Sequence, residues 1–269
     1  MTLQKALILG VWDGHDAGAA AVVDGALVAA VSEERLTRIK KQGGWPGRSI
    51  EAVLQLAGAA PSDVAQVALA GSQGRFPARL LDRNYAALPP QQTEPDSLSA
   101  RVFAAYQNHV AGHAPLRQLE SAGSRRLAAD RLAAVGVHAP VTLVDHHLCH
   151  AWTAVAALGD PGADALIVTM DGYGDGTSLA VWRWSVGDGG LAQLHRQGPE
   201  SSFALLYGAF SADLGFLPGE EGKVTGLATA ARNVSSLSSL PALPIVAEHG
   251  QLRVDRRACL RVLRGLVAS

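Results

Sequence analysis

LVDHHLCHAWTAVAALGDPGADALIVTMDGYGDG, residues 143–176, is the stretch on which the fold turns. It reads as a strand end, a helix, a short loop, a second strand and a glycine-rich turn, the alternation of an α/β protein. Asp145 is a helix N-cap residue type, so the helix opens with the histidines in its first turns. His146 and His150 are four apart and share one helical face, about one turn from each other. The helix's positive end disfavours imidazolium there, which leaves the ring nitrogens available as ligands. Asp171 is expected where the following strand runs into its glycine turn. Two imidazoles and a carboxylate make a divalent-metal site with open positions, a donor set that suits iron(II) or zinc. The competing reading is a surface histidine pair at a helix start. Cys149, between the histidines, reads as a buried apolar thiol rather than a soft ligand.

Upstream of this stretch the chain opens with three short apolar runs, Ala6–Trp12, Ala19–Val23 and Ala26–Ser32. The turn Asp13–Gly18 joins the first two, and Asp24-Gly25, a hairpin dipeptide, joins the others, which predicts three antiparallel strands. Glu33–Gln42 is a charged connection in which Glu33, Glu34 and Arg35 are expected to form ion pairs. Ile50, Val53, Leu54 and Ala57 recur at helical spacing and end at Gly58. Val64–Ala70 reads as a buried strand, Gln73–Thr93 as a long insertion, Ser97–Val110 and Ser121–Val135 as helices, and Val141–Val144 as a strand.

Downstream, the opening pattern returns. Asp13–Val23 lies over Asp171–Val181 without a gap, and Asp, both Gly and the final Val agree. A second hairpin signal follows at Gly187–Gly190, so a strand, turn, strand, hairpin, strand order occurs twice. Ser202–Gly215 is then a helix capped by Ser201 or Ser202. Phe216–Ala228 reads as a glycine-punctuated loop, Ile245–Val254 as a hairpin and Arg256–Val267 as a last helix. The fold class is therefore α/β, with duplicated lobes that resemble those of the actin-like ATPase and sugar-kinase type. We assign residues 1–160 to the first lobe and 161–269 to a partial, incomplete second. Trp12, Trp152, Phe203 and Tyr207 are read as core.

Composition narrows the function. The chain has 269 residues, 48% hydrophobic and 17% charged, a globular balance with a net charge of −1. No basic run suits nucleic acid or an anionic membrane, and no segment is long and apolar enough to span one. The N-terminus lacks a long apolar leader, and two cysteines make no disulfide framework, so a reducing cytoplasm is expected.

HDAGAAAVVDG (15–25), EERLTRIK (33–40), HHLCHA (146–151), DGYGDG (171–176) and LGFLPGEEGKVTGLA (214–228) occur in this order. Together they resemble the O-carbamoyltransferases of nodulation-factor and antibiotic tailoring pathways, over most of residues 6–230. The resemblance implies an actin-like N-terminal domain similar to the tRNA threonylcarbamoyl transferase. It also implies a C-terminal YrdC-like domain that makes carbamoyladenylate from carbamoyl phosphate and ATP. The N-terminal domain passes the carbamoyl group to an acceptor hydroxyl near a bound metal, iron first, with zinc or magnesium as alternatives. Two positions depart mildly from the family pattern: Gly18 stands where Ser or Ala is usual, and Glu220 where Asp is usual. The chain is further expected to stop before the family's later glycine-rich nucleotide segment, its fourth metal ligand and the YrdC-like domain, which a partner could supply in trans.

Each remaining candidate has a chemical reason and a plain rival. His15 and Asp16, on the first turn, could take the acceptor's proton or steady a leaving group, against ordinary turn chemistry. Gly172, Gly174 and Gly176 would let backbone amides approach phosphate oxygens, against a common glycine-rich turn. By resemblance, Lys40 matches a family lysine that contacts carbamoyladenylate; the rival is a solvated loop. Glu220 or Glu221 could serve as the acceptor's base and Lys223 could steady phosphate, against internal ion pairing. The candidate residues are therefore His15, Asp16 and Glu221 for catalysis; Lys40, Gly172, Gly174, Gly176 and Lys223 for ATP or carbamoyladenylate; and His146, His150 and Asp171 for metal. The acceptor is a small-molecule hydroxyl, such as a sugar or aminoglycoside. A metal-dependent hydrolase using the same ligands and a non-catalytic, partner-binding lobe are the other two readings.

Overall fold

The structure, a computed structural model, describes residues 6–71, 113–159, 162–187, 189–217, 219–230, 241–249 and 251–268. The expected insertion at Gln73–Thr93 and the helix at Ser97–Val110 lie outside them. The chain forms two compact units, residues 1–149 and 150–269.

In the first unit β1 (Leu7–Trp12), β2 (Gly18–Val23) and β3 (Ala26–Ser32) form an antiparallel meander. Asp24 and Gly25 turn the second hairpin with φ of 50° and 81°, the left-handed pair that an Asp-Gly turn supplies. After α1 (Glu33–Thr37) and α2 (Gly47–Leu56), β4 (Val64–Ala70) pairs parallel to β1. α3 (Ala114–Ala133) leads to β5 (Val141–Val144), parallel to β4. The sheet order β3-β2-β1-β4-β5 is the lobe plan of an actin-like α/β protein.

Alternation builds the core. Leu7, Leu9 and Val11 of β1 and Val67 and Leu69 of β4 turn to one face, where they join Ile50 and Val53 of α2 and Leu132 of α3. Each fully buried Leu, Ile or Val contributes about 1.5–3 kcal/mol. α3 begins at Ala114 rather than Ser121, because Pro115 sits in its first turn, where a missing N–H costs nothing.

Glu33 is a correction. It is 3% exposed and accepts hydrogen bonds from the Arg48 N–H at 3.2 Å, the Ser49 N–H at 2.8 Å and the Ser49 hydroxyl at 2.7 Å. It is a remote cap, with no ion pair among the described residues. The N-cap residue of α2 is Pro46, with no side-chain acceptor, so the helix takes one from α1. Glu34 does lie 3.6 Å from Arg35, and it also accepts the Lys41 N–H at 2.9 Å. The charged connection thus starts as helix, ending where Arg38 turns left-handed at φ 65°.

α4 (His146–Leu158) carries the chain into the second unit. There β6 (Ala165–Gly174), β7 (Thr177–Ser185) and β8 (Gly190–Gln197) form a second antiparallel meander. A 3-10 turn at Pro199–Ser201 precedes α5 (Phe203–Asp213) and α6 (Glu221–Ala230). The hairpin β9 (Ile245–Glu248) and β10 (Gln251–Val254) precedes α7 (Arg256–Ala268). Leu206, Val254 and Cys259 are the buried centre of the helical side, with Phe203 and Ile245 packed against them. Arg264 closes α7 onto α5 through two 2.8 Å contacts with the Asp213 carboxylate.

Three expectations change in this unit. Trp152 and Tyr207 are exposed at 42% and 38% rather than core. Trp152 packs edge-on against Trp184 with centroids 5.8 Å apart, and the Tyr207 hydroxyl meets Thr225 Oγ1 at 2.9 Å, so each ring is used on one side. The stretch from Glu221 onward is helix, not loop. Gly222 and Gly226 each cost it about 1 kcal/mol relative to Ala. Against that, Val224 is buried, and the Glu220 and Glu221 carboxylates accept the Leu217 and Gly219 N–H groups at 3.1 and 3.0 Å.

Candidate metal centre

Helix α4 presents the histidines as the spacing requires. Asp145 accepts the Leu148 N–H at 3.0 Å through its carboxylate, the capping bond anticipated for it. His146 is 8% exposed, and its ring lies against that of Trp12, centroids 5.3 Å apart. His150, one turn later, is exposed.

Asp171 reaches the site differently from the expectation. β6 does not end there: it pairs regularly from Ala165 to Met170, skips register, and resumes at Gly174 opposite Thr177. Asp171 thus occupies an irregularity within the strand, the kind of feature that re-aims a side chain. Its carboxylate accepts the Gly172 N–H at 2.6 Å. Its carbonyl accepts the Ser202 hydroxyl at 3.2 Å, and that same hydroxyl caps α5 by accepting the Leu205 N–H at 3.1 Å.

His146, His150 and Asp171 offer one ligand atom each, and these lie within 4.8 Å of one another. His150 Nε2 stands 3.9 Å from Asp171 Oδ2. Two nitrogens and one oxygen at this spacing fit iron(II) or zinc and leave further coordination positions open. Pairing with the Asp171 side chain raises the His150 pKa above its ordinary value; partial burial opposes the rise and the carboxylate's charge adds to it.

The other candidates fall into separate places. His15 Nδ1 and Asp16 Oδ2 are 2.9 Å apart on the β1–β2 turn, both exposed. Asp16 also lines a cavity of about 450 Å³ with Trp12, Ser32 and Cys149, so that thiol is half-buried rather than core. Lys40 is exposed in the loop after α1. Gly172, Gly174 and Gly176 do not share one turn. The Gly172 N–H is directed at Asp171, Gly174 belongs to the ladder, and only Gly176, at φ 73°, lies in the turn, after Asp175 at φ 53°. Glu221 opens α6, and Lys223 on its first turn is ion-paired with Glu220. The sequence reading overlooked the Ser202 link to Asp171 and the Trp12 contact with His146. The cap at Ser202 was legible; what else its hydroxyl touches was not.

These features define a class: an α/β protein of actin-like lobe plan with a His–His–carboxylate cluster able to take a divalent cation. Within it, the chain belongs to the carbamoyltransferase N-terminal family, whose profile, described as Carbamoyltransferase N-terminus, matches residues 7–241. It is 33% identical over 215 residues to the nodulation protein NolNO of Sinorhizobium fredii, covering 80% of this chain and 27% of that protein. It is 31% identical over 216 residues to an uncharacterised protein of Synechocystis, covering 80% of this chain and 33% of that one. The chain therefore spans about a quarter to a third of the length of these curated relatives. Among solved structures, YeaZ from Pseudomonas aeruginosa aligns over 72% of this chain and 68% of its own at 15% identity, with a TM-score of 0.33. A second Pseudomonas aeruginosa structure, of a protein with similarity to peptidase YEAZ, aligns over the same shares at 16% identity and the same TM-score. Among the described residues, no helix is long and apolar enough to cross a membrane.

Proposed function

We propose that this chain is the N-terminal part of an O-carbamoyltransferase that moves a carbamoyl group from carbamoyladenylate to a hydroxyl of a small-molecule acceptor. Residues 1–160 would be its first lobe and 161–269 the beginning of its second. The observation that carries this reading is the convergence of His146, His150 and Asp171 in a chain of this family. Those three residues would hold a divalent cation, iron before zinc or magnesium given the two nitrogen donors. A cation there supplies positive charge that steadies phosphate or polarises an oxygen.

The rest of the chemistry belongs to side chains. The acceptor oxygen bonds to the carbamoyl carbon, the bond from that carbon to the phosphate oxygen breaks, and AMP leaves. His15, oriented by the Asp16 carboxylate, is the group we assign to take the hydroxyl proton, with Glu221 as a further base. Lys40, Lys223 and, of the three glycines, the amide of Gly176 in the turn are assigned to the phosphate of ATP or carbamoyladenylate. A chitooligosaccharide and an aminoglycoside are the two acceptor classes to try.

The test supplies the chain with a YrdC-like domain in trans, carbamoyl phosphate, ATP, ferrous iron and either acceptor, and reads carbamoylated product by mass spectrometry. Product is expected with the unaltered chain and is lost in His150→Ala and under chelation. No product in any pairing, or product that survives both treatments, overturns the proposal.

A further inference from the structure

In the second unit, the end of β8 and the Pro199–Ser201 turn lie against β10. The Gln197 side-chain amide donates to the Leu252 carbonyl at 3.0 Å, and the Ser178 hydroxyl donates to the Gly198 carbonyl at 2.6 Å, so both walls are held. Between them is a cavity of about 480 Å³ whose lining includes Arg196, Ser201, Leu252, Arg253, Val254 and Asp255. That volume is in the range of small-molecule sites. His146, His150 and Asp171 do not line it.

Its polar groups have donors to spare. Arg196 gives one N–H to the Asp175 carbonyl at 2.7 Å, which anchors the guanidinium on the β6–β7 turn and leaves the rest of its fork. Arg253 makes no side-chain hydrogen bond or ion pair among the described residues. Ser201 is only 7% exposed, yet its hydroxyl has no partner among the described residues. That hydroxyl is open to the cavity it lines, a donor and acceptor available to a ligand. Asp255, the one carboxylate among the described lining residues, accepts the Ala258 N–H at 2.9 Å as the cap of α7. The lining therefore carries an excess of positive charge.

We propose that this cavity is a second ligand site, one that binds the phosphate of a phosphorylated small molecule through Arg253, Arg196 and the Ser201 hydroxyl. The donors come from three elements, β8, the 3-10 turn and β10, so they approach from different directions. That arrangement matches the three terminal oxygens of a tetrahedral phosphomonoester better than the two coplanar oxygens of a carboxylate. Leu252 and Val254 give the remainder of the ligand an apolar wall.

The experiment is calorimetric titration of the full chain with glucose 6-phosphate and inorganic phosphate, with malonate as the planar comparison. Saturable phosphate binding is expected, malonate weaker, and Arg253→Gln weaker than the unaltered chain by about tenfold or more. Ser201→Ala should weaken binding about threefold to tenfold, and His150→Ala should leave it unchanged, which separates this site from the proposed metal centre. No saturable binding, equal affinity for malonate, or unaltered affinity in Arg253→Gln overturns the proposal. Should circular dichroism show that Arg253→Gln does not fold, unaltered affinity in Ser201→Ala overturns it equally.

Discussion

The β1–β2 and β6–β7 connections start from the same two letters and fold differently. After β1, Asp13 leaves the ladder and is 3% exposed, and the chain needs Asp13–Ala17 to return at Gly18. The loop that follows α1 holds this wide turn: Ala17 N–H donates to the Gln42 carbonyl at 2.8 Å, and Gly44 N–H to the Gly14 carbonyl at 3.2 Å. After β6, Asp171 stays within the strand, and the chain reverses in two residues, Asp175-Gly176. Asp175-Gly176 stands directly between the paired Gly174 and Thr177 and takes the left-handed φ values of a two-residue hairpin turn, whereas Asp13-Gly14 opens a longer connection that closes only where Trp12 pairs with Gly18. An ungapped match of letters therefore equates a buried aspartate past a strand end with a half-buried one inside a strand. The latter is the one whose carboxylate groups with His146 and His150 in the ligand set.

Removing the strand aspartate tests the larger half of this contrast. Asp171→Ala is expected to weaken divalent-metal binding about 100-fold or more, read by calorimetry with zinc, and Asp13→Ala, outside that ligand group, to weaken it at least tenfold less. Equal losses in the two variants would erase the distinction. Next in size is the remote cap of α2. Glu33→Ala leaves the Arg48 and Ser49 amides without their acceptor and should cost about 1–3 kcal/mol in urea unfolding.

The glycines come next. At Gly18 an added Cβ would meet the Val31 carbonyl oxygen at 2.7 Å, a backbone atom that cannot swing aside, so Gly18→Ala should cost about 1–3 kcal/mol. At Gly176 the penalty is conformational, φ 73°, and Gly176→Ala should cost about 1–2 kcal/mol. At Gly172 an added Cβ meets nothing within 4 Å, and Gly172→Ala should unfold close to the unaltered chain. A reversed ranking in thermal unfolding would show that the turns are not held as described.

The smallest effect is the pH response. The His150 pKa is raised in the folded chain, so in metal-free protein its contribution to stability is full below the unfolded pKa and fades as pH rises through the folded one. Metal requires the neutral ring, so affinity should climb with pH over the same window and continue above the ordinary histidine value. His150→Gln should flatten that slope; a slope unchanged in the variant would assign the proton elsewhere.

How much of this was legible follows from the range of the forces involved. Strands β3, β4 and β5 match their apolar runs, and the Asp24-Gly25 hairpin follows from its own two residues, because periodicity and turn chemistry act over a few positions. The N-cap at Asp145 and the shared face of His146 and His150 are equally local. Glu33 looked like one charge among many, since nothing near it in sequence reveals that a helix beginning at Gly47 lacks its own cap. Trp152 and Tyr207 looked like core because apolar residue types report what can be buried, not which side of an element has a neighbour.

What the amino-acid order determined by itself was the succession of strands and helices, the two three-strand openings and the imidazole pair one turn apart. Tertiary structure alone decided that β6 breaks register after Met170, that Ser202 ties α5 to the carbonyl of Asp171, and that the carboxylate of that residue comes within reach of both rings. The reason is physical: helix and turn preferences depend on neighbours a few residues apart, whereas a ligand set joins side chains whose separation is fixed only when distant elements pack.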